Sequence, residues 1–161
     1  MLFRSGAETL GATVPLSPVA LAEVLGKAVK TEGGSAEIQV DAPSGLNVLG
    51  EGALLYRCFS NIIRNSVRYA GQAGPITIRE AVSNGDVRIT FADSGPGVPQ
   101  DALEKLFTPF YRTEESRSRS TGGAGLGLAI VKSCAEACQG TVECRNRRPS
   151  GLETILRLRR A

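Results

Sequence analysis

At 161 residues, 42% of them hydrophobic and 22% charged, the chain has the proportions of one folded domain, and no apolar run approaches the roughly 20 residues of a membrane-spanning helix. Nineteen Lys and Arg against 16 Asp and Glu leave a formal charge of +3, too little to imply nucleic acid as a partner. The absence of histidine excludes imidazole bases, Ser-His-Asp or Cys-His catalysis and mixed Cys/His zinc sites.

Met1–Arg4 carries one charge but no long apolar core and so does not resemble a secretory signal; residues 1–16 are expected to be a lead-in or the remnant of an upstream module, with the folded domain over 17–161. Ser17-Pro18 has the form of an N-cap followed by proline at the first helical position. With Leu21, Val24, Leu25, Ala28 and Val29 at helical spacing, it predicts a helix over Pro18–Lys30. Ile38 and Val40 alternate with polar neighbours as a short strand, and Leu46–Leu49 is a second candidate. Glu51–Ala70 is the longest helical pattern. Leu55, Phe59, Ile62, Ser66 and Ala70 share one side, while Asn61, Asn65 and Arg68 fall within about 60° of arc on the other. An amide pair one turn apart beside an arginine is either an indifferent solvated face or a ligand-binding unit.

Pro75–Val82 and Val87–Asp93 read as strands joined by Asn84-Gly85, the strongest short hairpin signal a sequence offers. On the second strand Asp93 has the parity of Val87, Ile89 and Phe91, so a carboxylate points the same way as three core side chains. An unpaired buried carboxylate costs several kcal/mol, so Asp93 needs a specific partner or an escape at the strand end. Turn residue and ligand acceptor are both open readings. Asp101–Lys105 is a short helix, followed by Leu106–Tyr111, the densest aromatic cluster of the chain. Arg112–Thr121 then contains no apolar residue and is expected to be a mobile lid, spanning about 111–122.

Four glycines between Gly122 and Gly127 run into an apolar helix that continues to Gln139, with Gly140 as its stop. Bare backbone opening a helix can bring several amides against an anion, phosphate being the natural guest, or can simply allow close packing. Thr141–Arg145 and Leu152–Arg159 alternate and form a closing hairpin around Asn146–Gly151, with Leu152, Thr154, Leu156 and Leu158 on one face. The four cysteines, Cys58, Cys134, Cys138 and Cys144, fall inside these helices and this first strand, as buried thiols of a reducing compartment would.

Asn61-Ile-Ile-Arg-Asn65, Asp93-Ser-Gly-Pro-Gly97, Phe107-Thr-Pro-Phe110 and Gly123-Ala-Gly-Leu-Gly-Leu128 occur in that order. They resemble the N box, first glycine box, F box and second glycine box of the catalytic ATP-binding domain of bacterial sensor histidine kinases. The wider superfamily includes type II topoisomerases, heat-shock chaperones and mismatch-repair ATPases. The resemblance covers about Ser17–Arg160. It implies a two-layer α/β sandwich, a mixed and largely antiparallel sheet covered on one face by helices, the Bergerat-type ATP-binding fold.

By the same resemblance, Asn65 would hold Mg²⁺ through its amide oxygen, Asn61 would support that metal or the γ-phosphate, and Arg68 would meet phosphate oxygens. Tyr69 would pack near the nucleotide, and Asp93 would accept a hydrogen bond from the adenine amino group. Gly95 and Gly97 would let backbone approach the base. Gly123, Gly125 and Gly127, with the amides of Leu126 and Leu128, would cradle phosphate. Phe107 and Phe110 would set the lid's resting place, and Arg112 at the lid's start joins the nucleotide-binding set. The implied cofactors are ATP and Mg²⁺. The implied partners are a histidine-bearing dimerisation domain, which must lie outside this histidine-free chain, and a response regulator receiver domain. The expected location is the cytoplasm, and the resemblance also admits the cytoplasmic part of an inner-membrane sensor. Rival readings are a superfamily ATPase, a serine kinase acting on a partner, and a non-catalytic nucleotide-binding regulatory module. Asn61 stands where the ATPases carry a glutamate able to act on water.

Overall fold

The computed structural model describes residues 14–43, 45–109, 111 and 127–161. The elements are β1 (Ser17–Ala20), α1 (Leu21–Glu32), β2 (Ile38–Asp41), β3 (Asn47–Gly50), α2 (Gly52–Ala70), β4 (Ile76–Ser83) and β5 (Asp86–Ala92). A 3-10 helix (Gln100–Phe107), α3 (Gly127–Ala137), β6 (Thr141–Asn146) and β7 (Leu152–Arg159) complete the order. Most of the expected lid, with Phe110, Arg112, Gly123, Gly125 and Leu126, lies outside the described residues, as do residues 1–13 of the lead-in.

The main sheet runs β2-β4-β5-β7-β6, with β2 and β4 parallel and every other pair antiparallel, so the expected mixed, largely antiparallel sheet is present. Its centre is set by the Asn84-Gly85 turn. Both residues have positive φ, 51° and 83°, the twist that a two-residue hairpin needs, and Ser83 pairs with Asp86 to close it. The register then places Ile78 opposite Phe91, Ile89 opposite Leu156 and Val87 opposite Leu158. All six are buried, forming the inner face onto which α1, α2 and α3 pack. Leu152, Thr154, Leu156 and Leu158 are buried, as their shared parity requires.

The first helix begins later than its sequence pattern predicts. Ser17 and Pro18 are not a cap and first turn but lie in β1, which pairs antiparallel with β3 (Ser17 opposite Gly50, Pro18 opposite Leu49) in a separate two-stranded sheet. Proline lacks an N–H but is tolerated at the edge of a sheet, and pairing with β3 outcompetes the local helix signal. The small sheet joins the large one through a bridge between Val48 and Arg160. α1 starts after Ala20 with no side-chain cap, and its first amide donates to the carbonyl of Leu46 at 3.1 Å.

α2 is capped by Glu51, whose carboxylate accepts from the amides of Ala53 and Leu54 at 3.1 and 3.2 Å. Its buried side, Leu55, Phe59, Ile62, Ser66 and Ala70, meets the sheet in a tilted ring contact between Phe59 and Phe91 at 6.0 Å. Toward α3 it presents Cys58, and Cys58, Cys134, Cys138 and Cys144 are all free, buried thiols, as expected. α3 ends through Gln139, the residue with positive φ (62°), while Gly140 donates its amide to Ala135 at 2.7 Å. Gly140 therefore stops the helix for a different reason than a left-handed backbone. A Cβ there would lie 2.4 Å from the carbonyl oxygen of Arg157, so glycine is required by the approach of β7.

Glu80 is the one departure from apolar character on the inner face of β4 before its exposed end. Its Oε2 is buried with no hydrogen-bond partner among the described residues, and burial pushes its carboxyl up to about 6. Because this value exceeds the ordinary 4.5, the folded state binds the proton more tightly. The stabilisation is complete below about pH 4.5 and disappears as pH rises through 6. Glu80→Gln should accordingly raise Tm by a few degrees at pH 7.5, on the order of 1 kcal/mol, and give no gain at pH 4.5 in parallel thermal melts.

Candidate functional site

Two pieces of backbone distant in sequence pack against the C-terminal half of α2: the start of α3 beside Asn61, and the segment after β5 against Ala70. On α2, Asn61 is 9% exposed, Asn65 is half-buried and Arg68 is exposed. The amide pair is thus graded from interior to surface. Asn61 donates through Nδ2 to the carbonyl of Arg57 at 2.8 Å, and its Oδ1 faces Arg64 Nη1 at 3.4 Å. Asn65 has no hydrogen-bond partner among the described residues, so its amide oxygen is available to a ligand.

The sequence pattern singles out Arg68 on this helix, but Arg64 is the arginine that organises it. Its Nε and Nη2 donate to the two carboxylate oxygens of Glu32 at 3.0 and 2.8 Å, tying the end of α1 to α2. The guanidinium beside Glu32 holds that carboxyl below the usual range. A partly exposed pair of this kind contributes only about 0.2–1 kcal/mol, so its effect is chiefly orientational. The i,i+3 spacing of Asn61 and Arg64 was the available signal.

Asp93 follows β5 and is 6% exposed, on the same side as Val87, Ile89 and Phe91. Its Oδ1 accepts from the amides of Gly95 and Leu152, both at 3.0 Å. One oxygen thus serves as a turn acceptor, and Oδ2 has no hydrogen-bond partner among the described residues. The two open readings of this residue are therefore compatible, one for each oxygen. Burial pushes the carboxyl up, and the two amide hydrogen bonds and the charge of Arg147 partly offset that.

The glycines after Asp93 are required for definite reasons. A Cβ on Gly95 would lie 2.6 Å from the Cβ of Ala70, so this glycine lets the segment press against the last turn of α2. Gly97 has φ +75°, and a Cβ there would meet Asn146 Oδ1 at 2.6 Å. Gly127 opens α3 beside Asn61, its ideal Cβ position 3.7 Å from Asn61 Oδ1. The described start of α3 is thereby set next to Asn61. Leu128 is buried in the core, Phe107 packs half-buried at the end of the 3-10 helix, and Tyr69 is half-buried near the end of α2.

Residues of the β6–β7 loop escaped the sequence reading, which saw only a hairpin connection there. Asn146, Arg147 and Gly151 all touch the segment after β5. No pattern in the sequence pairs 146–151 with 93–98.

The arrangement offers a recessed carboxylate oxygen at one end, and hard amide oxygens and helix-start donors at the other. Among the described residues no group of three or more His, Cys, Asp or Glu could hold a metal. The donor set fits instead a hard cation that takes a single protein oxygen and finds its remaining oxygens on phosphates and water, as Mg²⁺ does.

Residues 50–161 match the family described as histidine kinase-, DNA gyrase B- and HSP90-like ATPase. The chain is 42% identical over 130 residues to the signal transduction histidine-protein kinase BaeS of Escherichia coli, covering 80% of this chain and 28% of that protein. It is 38% identical over 145 residues to the sensor protein CutS of Streptomyces coelicolor, covering 86% of this chain and 35% of the relative. The chain thus spans about a third or less of these relatives. Among solved structures it superposes on a mycobacterial sensor histidine kinase, MprB, with TM-score 0.81, 25% identity and coverage of 89% of this chain and 98% of the other. It also superposes on full-length ShkA in complex with AMPPNP, with TM-score 0.76, 27% identity and coverage of 96% and 34%.

Substituting Asp93 separates its two oxygens. Asp93→Asn keeps an acceptor at Oδ1 and removes a buried charge, so its stability to urea at pH 7 should equal or exceed that of the parent. Asp93→Leu strands two buried amides and should lose about 1–3 kcal/mol. The folded carboxyl is raised, so any gain of Asp93→Asn should shrink as pH falls toward the ordinary value of 3.8.

Proposed function

The chain belongs to the histidine kinase-, DNA gyrase B- and HSP90-like ATPase family, and from that premise we propose that it binds Mg-ATP and donates the γ-phosphoryl group to a histidine on a separate dimerisation domain. ATP binding accompanies the family. The acceptor, the metal and the residue roles are the proposal. The observation that carries it is the facing of Asn61 and Gly127 at one end of a site whose other end is the recessed Asp93 carboxylate.

In this reading Oδ2 of Asp93 accepts from the adenine amino group, and Tyr69 packs near the nucleotide. Gly95 and Gly97 keep side chains away from the base. Asn65 holds Mg²⁺ through its amide oxygen, with Asn61 in support, and the metal neutralises charge on the phosphates when bound. Arg68 meets phosphate oxygens. Gly123, Gly125 and Gly127, with the amides of Leu126 and Leu128, cradle the triphosphate, while Phe107 and Phe110 set the resting place of the lid at about 111–122 and Arg112 joins the nucleotide-binding set.

Phosphoryl transfer depends on positioning and charge neutralisation more than on a protein base. An imidazole nitrogen forms the new bond to phosphorus as the bond to the β-phosphate oxygen breaks, leaving ADP. Asn61 cannot accept a proton from water, which favours transfer over hydrolysis and argues against an ATPase of the topoisomerase or chaperone kind. A phosphohistidine would then supply the aspartate of a response regulator receiver domain. No helix among the described residues is long and apolar enough to cross a membrane. We place the chain as the cytoplasmic part of a sensor.

Titration calorimetry tests the site. Asn65→Ala should weaken ATP binding about ten-fold or more in Mg²⁺ and have little effect in EDTA. Asp93→Asn should weaken ATP binding by a similar factor. If neither lowers affinity, the assignment is wrong. Radiolabel from γ-labelled ATP should pass to an added dimerisation domain bearing its histidine, and not to the same domain with that histidine replaced by alanine. Label in both, or in neither while ATP still binds, would overturn the acceptor assignment.

A further inference from the structure

The segment from Asp93 to Val98 is gripped at both ends by one loop. Before the glycines, the amide of Asp93 donates to the carbonyl of Leu152 at 3.0 Å, and the amide of Leu152 returns a bond to Asp93 Oδ1 at 3.0 Å. Arg147 Nη1 donates to the carbonyl oxygen of Asp93. After the glycines, Asn146 makes a two-point bond to a single residue. Its Oδ1 accepts from the amide of Val98 at 2.9 Å, and its Nδ2 donates to the carbonyl of Val98 at 2.7 Å.

The loop is shaped to make this grip. Arg147 is turned back by a bond from its own amide to the carbonyl of Gly151 at 2.8 Å. Gly151 has φ +112°, and a Cβ there would lie 2.2 Å from the carbonyl oxygen of Asp93 and 3.2 Å from Arg147 Cδ. Only bare backbone leaves room for both the Asp93 peptide and the arginine stem. A segment containing Gly95, Pro96 and Gly97 has little stiffness of its own. Without such a grip, the orientation of the Asp93 carboxylate would be set only by the end of β5 and the Gly95 amide.

We propose that Asn146 and Arg147 are positioning residues for base recognition: from the β6–β7 loop they fix the peptide on each side of the glycines, and so the direction in which Asp93 Oδ2 points. The inference rests on the reading of Asp93 as the acceptor for the adenine amino group. It adds a selectivity device remote in sequence from the four boxes. In this role Arg147 acts through Asp93, by its bond to the Asp93 carbonyl oxygen.

Selectivity between ATP and GTP isolates this role, because guanine presents a carbonyl where adenine presents its amino group and draws nothing from a carboxylate acceptor there. Arg147→Met keeps the aliphatic stem and loses the donor. It should raise the Kd for ATP about ten-fold and leave that for GTP within two-fold, lowering ATP/GTP selectivity by nearly the same factor. Arg147→Lys, which retains a donor, should restore most of the selectivity. Asn146→Ser, which cannot bond both groups of Val98, should reduce it in the same direction.

Equal weakening of both nucleotides would mark a general packing role and overturn the proposal, as would unchanged selectivity in Arg147→Met and Asn146→Ser. Asp93→Asn is the control. If it leaves selectivity intact, base reading by Asp93 fails. If it abolishes selectivity while the loop variants do not, only the positioning role fails.

Discussion

The constraint on which the site depends is a carboxylate placed where an apolar side chain would be more stable. Asp93 continues the inward parity of Val87, Ile89 and Phe91, and the fold tolerates it by giving one oxygen two backbone donors. The strand end, the glycine turn and the first residue of β7 are arranged around those two bonds. Buried polar groups are costly when unpaired, so the geometry that satisfies Oδ1 also determines where Oδ2 points.

α2 supplies the second half of the site by being two-sided. Its apolar side anchors it through Phe59 on Phe91, which fixes both its rotation and its height over the sheet. The other side then presents Asn61 toward the start of α3. Gly95 against Ala70 closes the circuit, because the end of the same helix is the surface on which the Asp93 turn rests. A displacement of α2 along its axis would move the amide pair and the carboxylate turn together. The amide pair and the carboxylate turn are thereby coupled through one element.

The cysteines and Glu80 show how burial alone differs from a functional arrangement. Cys58, Cys134 and Cys138 fill the seam between α2 and α3, and burial pushes each thiol up and away from reactivity. Glu80 is raised by the same physics, but nothing converges on it. Asp93 differs in having a turn built around it, with donors from two separate segments.

Local chemistry was enough to read the strand order of the main hairpins, the long helix with its apolar and amide faces, and the inward carboxylate. Each rests on period, on turn residues or on parity within a few positions. Asn84-Gly85 needs positive φ wherever it occurs, and Asp93 has the parity of its neighbours whatever surrounds it. What no stretch could specify alone was competition and contact between distant segments. Ser17-Pro18 joins a strand because β3 is there to pair with it. Gly140 is demanded by the Arg157 carbonyl rather than by its own helix, and Gln139 takes the left-handed turn instead. Arg64 orders α2 because Glu32 ends α1 within reach, and the 146–151 loop meets the 93–98 segment only after β5 and β7 have paired. The sequence by itself determined the amide face of the long helix and the inward parity of Asp93, since periodicity and turn chemistry are local. Only the tertiary structure decided which of them are aimed and held, because that depends on the contacts each makes with segments far away along the chain.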